Sequence, residues 1–331
     1  MGRIYRVFYS LLNLLSEEEA AKTGQYIFKK IPFRYLSCFL NTDGLATRIG
    51  DCRLKNPVIL SSCYSDPEIL ENFMYLDIGA VTIKTITKHP KTGNPEPTVV
   101  RKHKGFVNCV GLRNPGKVES KKIINRIYPR ARNTKTRVIA SITGYDIDEF
   151  CELAEFLSPS CDMIELNISC VNAPETAFCY RNPYSGRDLF REVRKSTEKP
   201  VIIKLSRERE HKEYNIRYLI PFAIDEGIDA VHYANTKRVK EPMLSMGCGG
   251  YSGTELFGDT MNDVRRIRKE FGDEIRIIAG GGINSPKRAK RVIDAGADAV
   301  AILTGLITEG PLLPGRINRY IKGFLDDTNE E

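Results

Sequence analysis

A lysine inside an apolar, strand-like run is unusual, and this sequence has two. Lys84 lies in Ala80–Thr85 and Lys204 in Pro200–Ser206. A buried ammonium is costly unless an anion pairs with it, so the two together argue for a bound anionic group. Taken singly, each also reads as a strand-end residue reaching solvent. Other runs end in polar residues too, at Asn167-Ile168-Ser169-Cys170-Val171-Asn172 and at Asn235-Thr236. Two glycine-bearing stretches, Ala279-Gly280-Gly281-Gly282-Ile283-Asn284-Ser285 and Thr304-Gly305-Leu306, suit an oxyanion. Glycine lets backbone N–H groups close around such a ligand, and a following helix start adds positive potential. No G-x-G-x-x-G fingerprint follows an early strand, which argues against a Rossmann dinucleotide site.

These residues need elements to hold them. Short β-rich apolar runs recur at Asn56–Ser62, Ala80–Thr85, Arg137–Thr143, Met163–Ser169, Pro200–Ser206, Ala230–Thr236, Arg276–Gly282 and Ala299–Gly305. Helical patterns follow near Asp66–Leu76, Asp146–Leu157, Gly186–Thr197, Asn215–Glu226, Thr260–Phe271, Pro286–Ala295 and Pro311–Phe324. Continuous runs such as Val201-Ile202-Ile203 indicate strands buried on both faces, hence a parallel sheet. Eight strand–helix units over residues 46–331 predict an α/β fold, a (β/α)8 TIM barrel, with a doubly wound sheet as the competitor. Strand C-termini form the active site of such a barrel, and the loops after strands seven and eight hold phosphate. The connection from about Ile86 to Thr136 is too long for a plain crossover and must carry an insertion.

Residues 1–45 read as a separate helical extension. Ile4, Val7, Phe8, Leu11, Leu12 and Leu15 share one face of a helix over Arg3–Leu15. Ser16 and Glu19 form a capping box that starts a second helix, from about Glu17 to Ile31, stopped by Pro32. Tyr35, Leu36, Phe39 and Leu40 add apolar surface. Arg3 and Arg6 precede the apolar stretch, but no small-residue cleavage site follows, and the stretch is far short of a membrane span. The hairpin either packs on its own domain, or rests on a membrane face or covers a tunnel to the active site.

The 331 residues are 41% hydrophobic and 28% charged, which excludes a disordered chain, a collagen-like chain and a multi-span membrane protein. The net charge of +8 is spread along the chain, so a solvated basic surface is expected rather than a nucleic-acid site. Nine cysteines without a C-x-x-C pair indicate a reducing compartment and neither a disulfide framework nor a zinc site.

Together these stretches resemble the dihydroorotate dehydrogenase family of FMN-containing barrels, over about Gly50 to Leu325. The likeness rests on Lys55-Asn56-Pro57, Thr82-Ile83-Lys84-Thr85, Gly93-Asn94-Pro95-Glu96-Pro97 and Asn108-Cys109-Val110-Gly111-Leu112-Arg113-Asn114. It continues through Asn167–Asn172, Lys204-Leu205, Asn235-Thr236, Gly249-Gly250-Tyr251-Ser252-Gly253 and the two phosphate loops. The resemblance implies oxidation of dihydroorotate to orotate in pyrimidine synthesis. It makes Cys170 the base that takes a proton from C5, with hydride passing from C6 to N5 of FMN. Asn108, Gly111, Leu112, Asn167, Asn172, Asn235 and Thr236 become substrate contacts, and Lys84 stands near both substrate and flavin. Ser62, Lys84, Lys204, Gly253, Gly281, Gly282, Thr304 and Gly305 become flavin contacts, with Lys204 beside the N1–C2 edge. The physics agrees: a reduced flavin gathers negative charge near N1, and asparagine supplies both donor and acceptor to ring amides. A cysteine base works only as thiolate, and Lys84 is expected to lower its pKa. The plainer reading of Cys170 is a buried small hydrophobe.

The sequence also departs from the family. Val171 replaces the proline of Ser-Cys-Pro-Asn, and Ser61-Ser62-Cys63 replaces a small residue–glycine pattern. Cys179, in the unusual segment Ala173–Tyr184, is a second candidate for the base. A cysteine base resembles the soluble classes, which pass electrons to fumarate or, through an iron–sulfur partner subunit, to NAD. The helical hairpin resembles the quinone class. The acceptor therefore stays open among fumarate, a quinone and NAD. The expectation is a cytoplasmic homodimer without a nucleic-acid partner, with contact between the N-terminal helices and the inner membrane face as an open alternative. Rival readings are a flavin barrel reducing another pyrimidine, similar to dihydropyrimidine dehydrogenase or tRNA-dihydrouridine synthase, and a non-catalytic flavin-binding barrel. The transfer RNA version would use the basic segment from Lys84 to Lys104, with Lys88, Lys91, Arg101 and Lys102, read here as an exposed loop over the barrel mouth.

Overall fold

A computed structural model describes residues 2–12, 14–35, 42–170 and 172–328; Leu36, Phe39, Leu40 and Val171 lie outside them. Each of the eight apolar runs contributes a strand: β1 (Val58–Leu60), β2 (Ala80–Ile86), β3 (Arg137–Ile142), β4 (Met163–Asn167), β5 (Val201–Leu205), β6 (Ala230–Tyr233), β7 (Arg276–Gly280) and β8 (Ala299–Ile302). Each pairs in parallel with the next, and β8 pairs with β1, closing a (β/α)8 barrel. The strands are mostly shorter than the runs, whose polar end residues such as Ser169 and Asn235 make side-chain hydrogen bonds at the C-terminal end. The helical pattern near Asn215–Glu226 begins earlier, at Arg209, and passes through a π-helical turn over Asn215–Leu219. Pro221 follows that turn and has no N–H to give.

The barrel interior is apolar at its N-terminal end. Ile59, Ala80, Ile139, Met163, Ile202, Ala230 and Ile278 form one buried cluster there. Ile49 and Leu54 join it from a short antiparallel hairpin, Thr47–Ile49 with Cys52–Leu54, which plugs that end.

The long second connection carries strands Val99–Lys102 and Gly105–Asn108 and the helix Gly116–Asn133. The two strands join Lys237–Lys240 and Cys248–Gly253, which follow β6, in a four-stranded antiparallel sheet. This corrects the reading of Lys84–Lys104 as a loop. Lys102 lies in an edge strand and is ion-paired with Glu241.

Two helices precede the barrel: α1 (Gly2–Leu12) and α2 (Glu17–Lys30). Ser16 caps α2 in the expected reciprocal box with Glu19. Glu17 and Glu18 face the inserted sheet, their carboxylates accepting from the backbone N–H groups of Arg101 and Thr98. Tyr5 donates to the carbonyl of Ile307 at 2.6 Å, and Phe28 packs on Phe33 and Phe73. The hairpin is thus fastened to its own barrel, while Leu11, Leu14 and Tyr26 stay exposed.

Candidate active site

Successive side chains of a strand alternate between faces, so every second residue of a barrel strand points inward. Two residues beyond apolar Met163, Ile202, Ala230 and Ile278 come Glu165, Lys204, His232 and Gly280. The interior therefore turns polar toward the C-terminal end. There it opens into a cavity of about 1650 Å³. The cavity is lined by Lys84, Asn108, Gly111, Leu112, Asn167, Cys170, Asn172, Asn235 and Thr236, and by Ser62, Lys204, Gly253, Gly281, Gly282, Thr304 and Gly305. Every residue singled out from the sequence as a contact or catalyst, except the second candidate base Cys179, lines this one space.

Four asparagines are fixed by their amides. Asn172 Nδ2 donates to Asn108 O and Oδ1 at 3.1 and 3.2 Å. Asn108 Nδ2 in turn donates to the carbonyl of Gly250 in the neighbouring strand. Across the cavity, Asn235 Nδ2 donates to Ser169 O and Oγ at 3.0 and 3.1 Å, and Asn167 Nδ2 to Thr85 Oγ1 at 3.0 Å. Asn167, Ser169 and Asn172 are thus held on either side of Cys170.

Cys170 is half-buried in the cavity wall. Burial pushes its thiol above the ordinary value, against the opposing pull of the Asn172 N–H, Lys84 and Lys204. The sequence expectation that Lys84 lowers it is right in sign for that residue but not in the net, because loss of water from the thiolate outweighs both cations. Cys179 is fully buried among core side chains and does not line the cavity, which removes it as a second candidate base. Cys63 does line it, and its thiol is likewise raised by burial.

The two lysines differ. Lys84 is half-buried and, among the described residues, forms no ion pair. Lys204 is buried, and its Nζ lies 3.4 Å from Ser62 Oγ and 4.0 Å from Glu165 Oε1. Its counter-charge therefore comes from the protein itself, so of the two lysines whose joint presence argued for a bound anion, only Lys84 lacks a carboxylate partner among the described residues. Glu165 Oε2 lies 2.7 Å from His232 Nδ1, and all three side chains are nearly excluded from solvent. Burial raises the Glu165 carboxyl, but Lys204 and then His232 outweigh it and hold the group well below the usual carboxylate range. Sequence reading passed over Glu165 and His232. The available signal was their parity: each stands at an inward position of an otherwise apolar strand.

Beyond β7, Gly281 and Gly282 have φ of +114° and +73°. A Cβ on Gly282 would stand 2.4 Å from Phe257 N, and one on Gly281 2.4 Å from Arg207 Nη2. Only glycine fits this turn. Ser285 caps the helix Pro286–Asp294 that follows, and Thr304 Oγ1 donates to Ser252 Oγ at 3.0 Å. Arg207, another residue the sequence reading missed, is buried behind the turn. It donates to Asn235 O and Gly280 O and so joins the loops after β6 and β7.

The cavity extends away from the barrel axis between the N-terminal helices, where Tyr5, Phe8, Tyr9, Leu12, Phe28 and Ile31 line it. The basic residues that a nucleic-acid face would need are engaged singly: Lys88 with Glu152, Lys91 with the Tyr145 hydroxyl and Lys102 with Glu241. Among the described residues no helix is long and apolar enough to cross a membrane.

Residues 44–325 match the family model described as dihydroorotate dehydrogenase. A Methanocaldococcus jannaschii protein named dihydroorotate dehydrogenase B (NAD(+)), catalytic subunit, is 33% identical over 86% of this chain and 94% of its own length. A relative from Aquifex aeolicus, provisionally named as the fumarate-linked type A enzyme, is 29% identical over 86% of this chain and 94% of its own length. Among solved structures, a dihydroorotate dehydrogenase of Eimeria tenella in complex with ferulenol superposes with a TM-score of 0.80. It is 20% identical and covers 94% of this chain and 92% of that one, a likeness of fold.

Proposed function

The chain belongs to the dihydroorotate dehydrogenase family, and from that premise we propose how its own residues oxidise dihydroorotate to orotate with FMN bound. The protein is an oxidoreductase acting on dihydroorotate, in pyrimidine biosynthesis. The observation that carries the residue assignment is the convergence of two lysines, four asparagines, Cys170 and the glycine turns on one cavity.

FMN suits these residues on two counts. Gly281 and Gly282 form a turn that only glycine fits, next to the capped start of the helix Pro286–Asp294, an arrangement that suits a phosphate. Lys204 lines the cavity, where a fixed cation favours a ring that gathers negative charge. When bound, FMN supplies the acceptor for the hydride leaving C6 of the substrate. Cys170 removes the C5 proton, and its sulfur must be a thiolate to do so. The N–H of Asn172 and the ammonium of Lys84 oppose the cost of that charge. Lys84, unpaired with any carboxylate among the described residues, suits the substrate carboxylate. Asn108, Asn167, Asn172 and Asn235 present amides to the ring, and their mutual hydrogen bonds fix them beforehand, which lowers the cost of binding.

The electron acceptor is a separate choice. The relatives above are named for NAD(+) and fumarate. The apolar arm of the cavity between α1 and α2 favours a hydrophobic acceptor here, a quinone. The exposed Leu11 and Leu14 would let the same hairpin rest on a membrane surface. The test is orotate titration of the FMN-loaded protein, followed by reoxidation of the reduced protein by fumarate, a short-chain quinone and NAD in parallel. The reading requires a saturable orotate-induced spectral shift; its absence would refute it.

A further inference from the structure

Lys204, Glu165 and His232 occupy inward positions on the neighbouring strands β5, β4 and β6. Their side chains are 8%, 2% and 4% exposed. A carboxylate buried this deeply survives only if donors hold it. His232 supplies one: a carboxylate can only accept, so Nδ1 of the imidazole carries the proton it donates. The other oxygen, Oε1, has no hydrogen bond among the described residues and faces Lys204 Nζ from 4.0 Å. Besides Glu165, Lys204 has among the described residues only the long contact to Ser62 Oγ. The ammonium is thus countered by charge but not tied by a short bond, and the carboxylate is anchored from its far side. Burial and Lys204 push His232 below its usual value, which favours the neutral imidazole. The three groups sum to zero charge, with the positive end toward the cavity.

We propose that Glu165 and His232 are positioning residues that set how much of the Lys204 charge is felt in the cavity, and thereby the redox balance of the flavin bound there. This rests on the FMN reading given above. His232 keeps Glu165 from closing onto Lys204; Glu165 keeps Lys204 from acting as a full, uncompensated cation. Both also leave Lys204 free to turn to a ligand without breaking a short ion pair.

The experiment is a dye-equilibrium measurement of the flavin potential in the full-length, FMN-loaded protein, with FMN content and melting temperature recorded alongside. Glu165→Gln removes the counter-charge at almost the same shape. It should favour the reduced flavin by about tenfold or more, roughly 30 mV for a two-electron couple. His232→Gln keeps a donor to Glu165 and should stay at the wild-type potential. A folded Glu165→Gln protein that binds FMN at the wild-type potential would overturn the proposal. Should Glu165→Gln not fold, His232→Leu against His232→Gln decides: the proposal requires a shifted potential in the first and a wild-type one in the second, and equal potentials overturn it. A wild-type chain that binds no FMN overturns the cofactor reading, and this proposal with it.

Discussion

Asn172 donates its side-chain amide to both the carbonyl and the Oδ1 of Asn108, tying the loop that carries Cys170 to the inserted antiparallel sheet. The two residues are 64 positions apart, and only the folding of the second connection onto the barrel brings them together. The bond holds the cavity wall beside Cys170 in place. Asn172→Ala loses one or two net hydrogen bonds, each worth about 1 kcal/mol. Orotate affinity should fall by roughly tenfold, with FMN retained and the melting temperature little changed. Titration of the flavin spectrum with orotate measures this.

The pH dependence follows from the environment of Cys170. The thiol must lose its proton before it can take one from the substrate, and burial holds it above the ordinary thiol value of about 8.5. Thiolate is therefore scarce at neutral pH and grows as pH rises. Flavin reduction under limiting dihydroorotate should climb by about tenfold per pH unit through roughly pH 7 to 8. Lys84→Met removes a cation that opposes the upward shift, so its limb should move to still higher pH. Stopped-flow reduction across pH gives both profiles.

The glycine turn after β7, proposed to hold the FMN phosphate, makes a sharper steric prediction. Gly282 has φ of +73°, and a Cβ there would stand 2.4 Å from the backbone N of Phe257. Gly282→Ala should cost about 1–3 kcal/mol of backbone strain and release FMN during purification. The ratio of flavin to protein absorbance reports it.

Legibility of the fold and the site followed the strength of the local signal. All eight barrel strands were readable because Val201-Ile202-Ile203 and its counterparts are apolar on both faces. The capping box at Ser16 and Glu19 was readable because it is purely local. The four-stranded sheet was not: Lys237–Lys240 carries three charges in four residues and becomes a strand only by pairing with Cys248–Gly253. The cavity residues were legible where they interrupt apolar runs, as Lys84 and Lys204 do. Glu165 hid directly before the Asn167 motif, and His232 hid inside a short strand, since no local pattern shows that they meet. The net direction of the Cys170 shift was also out of reach, because the depth of burial is a tertiary property.

The hairpin carries the prediction on the acceptor. Tyr5, Phe8, Tyr9 and Leu12 line the apolar arm of the cavity, and the hairpin is joined to the barrel by discrete bonds. Removing residues 1–31 should leave orotate binding and flavin reduction near wild type while reoxidation by a short-chain quinone slows by about tenfold or more, as expected when a binding pocket is lost. Equal quinone reoxidation with and without the hairpin would refute its role.

The central claim is that Cys170 is the base. Anaerobic mixing of the FMN-loaded protein with dihydroorotate tests it directly, by the rate at which the yellow flavin absorbance bleaches. Cys170→Ala should hold FMN and bind orotate, yet bleach slower than wild type by about 10²–10⁴-fold. Lys102→Ala, whose lysine pairs with Glu241 away from the cavity, should bleach at the wild-type rate. A Cys170→Ala protein that bleaches as fast as wild type would contradict the account.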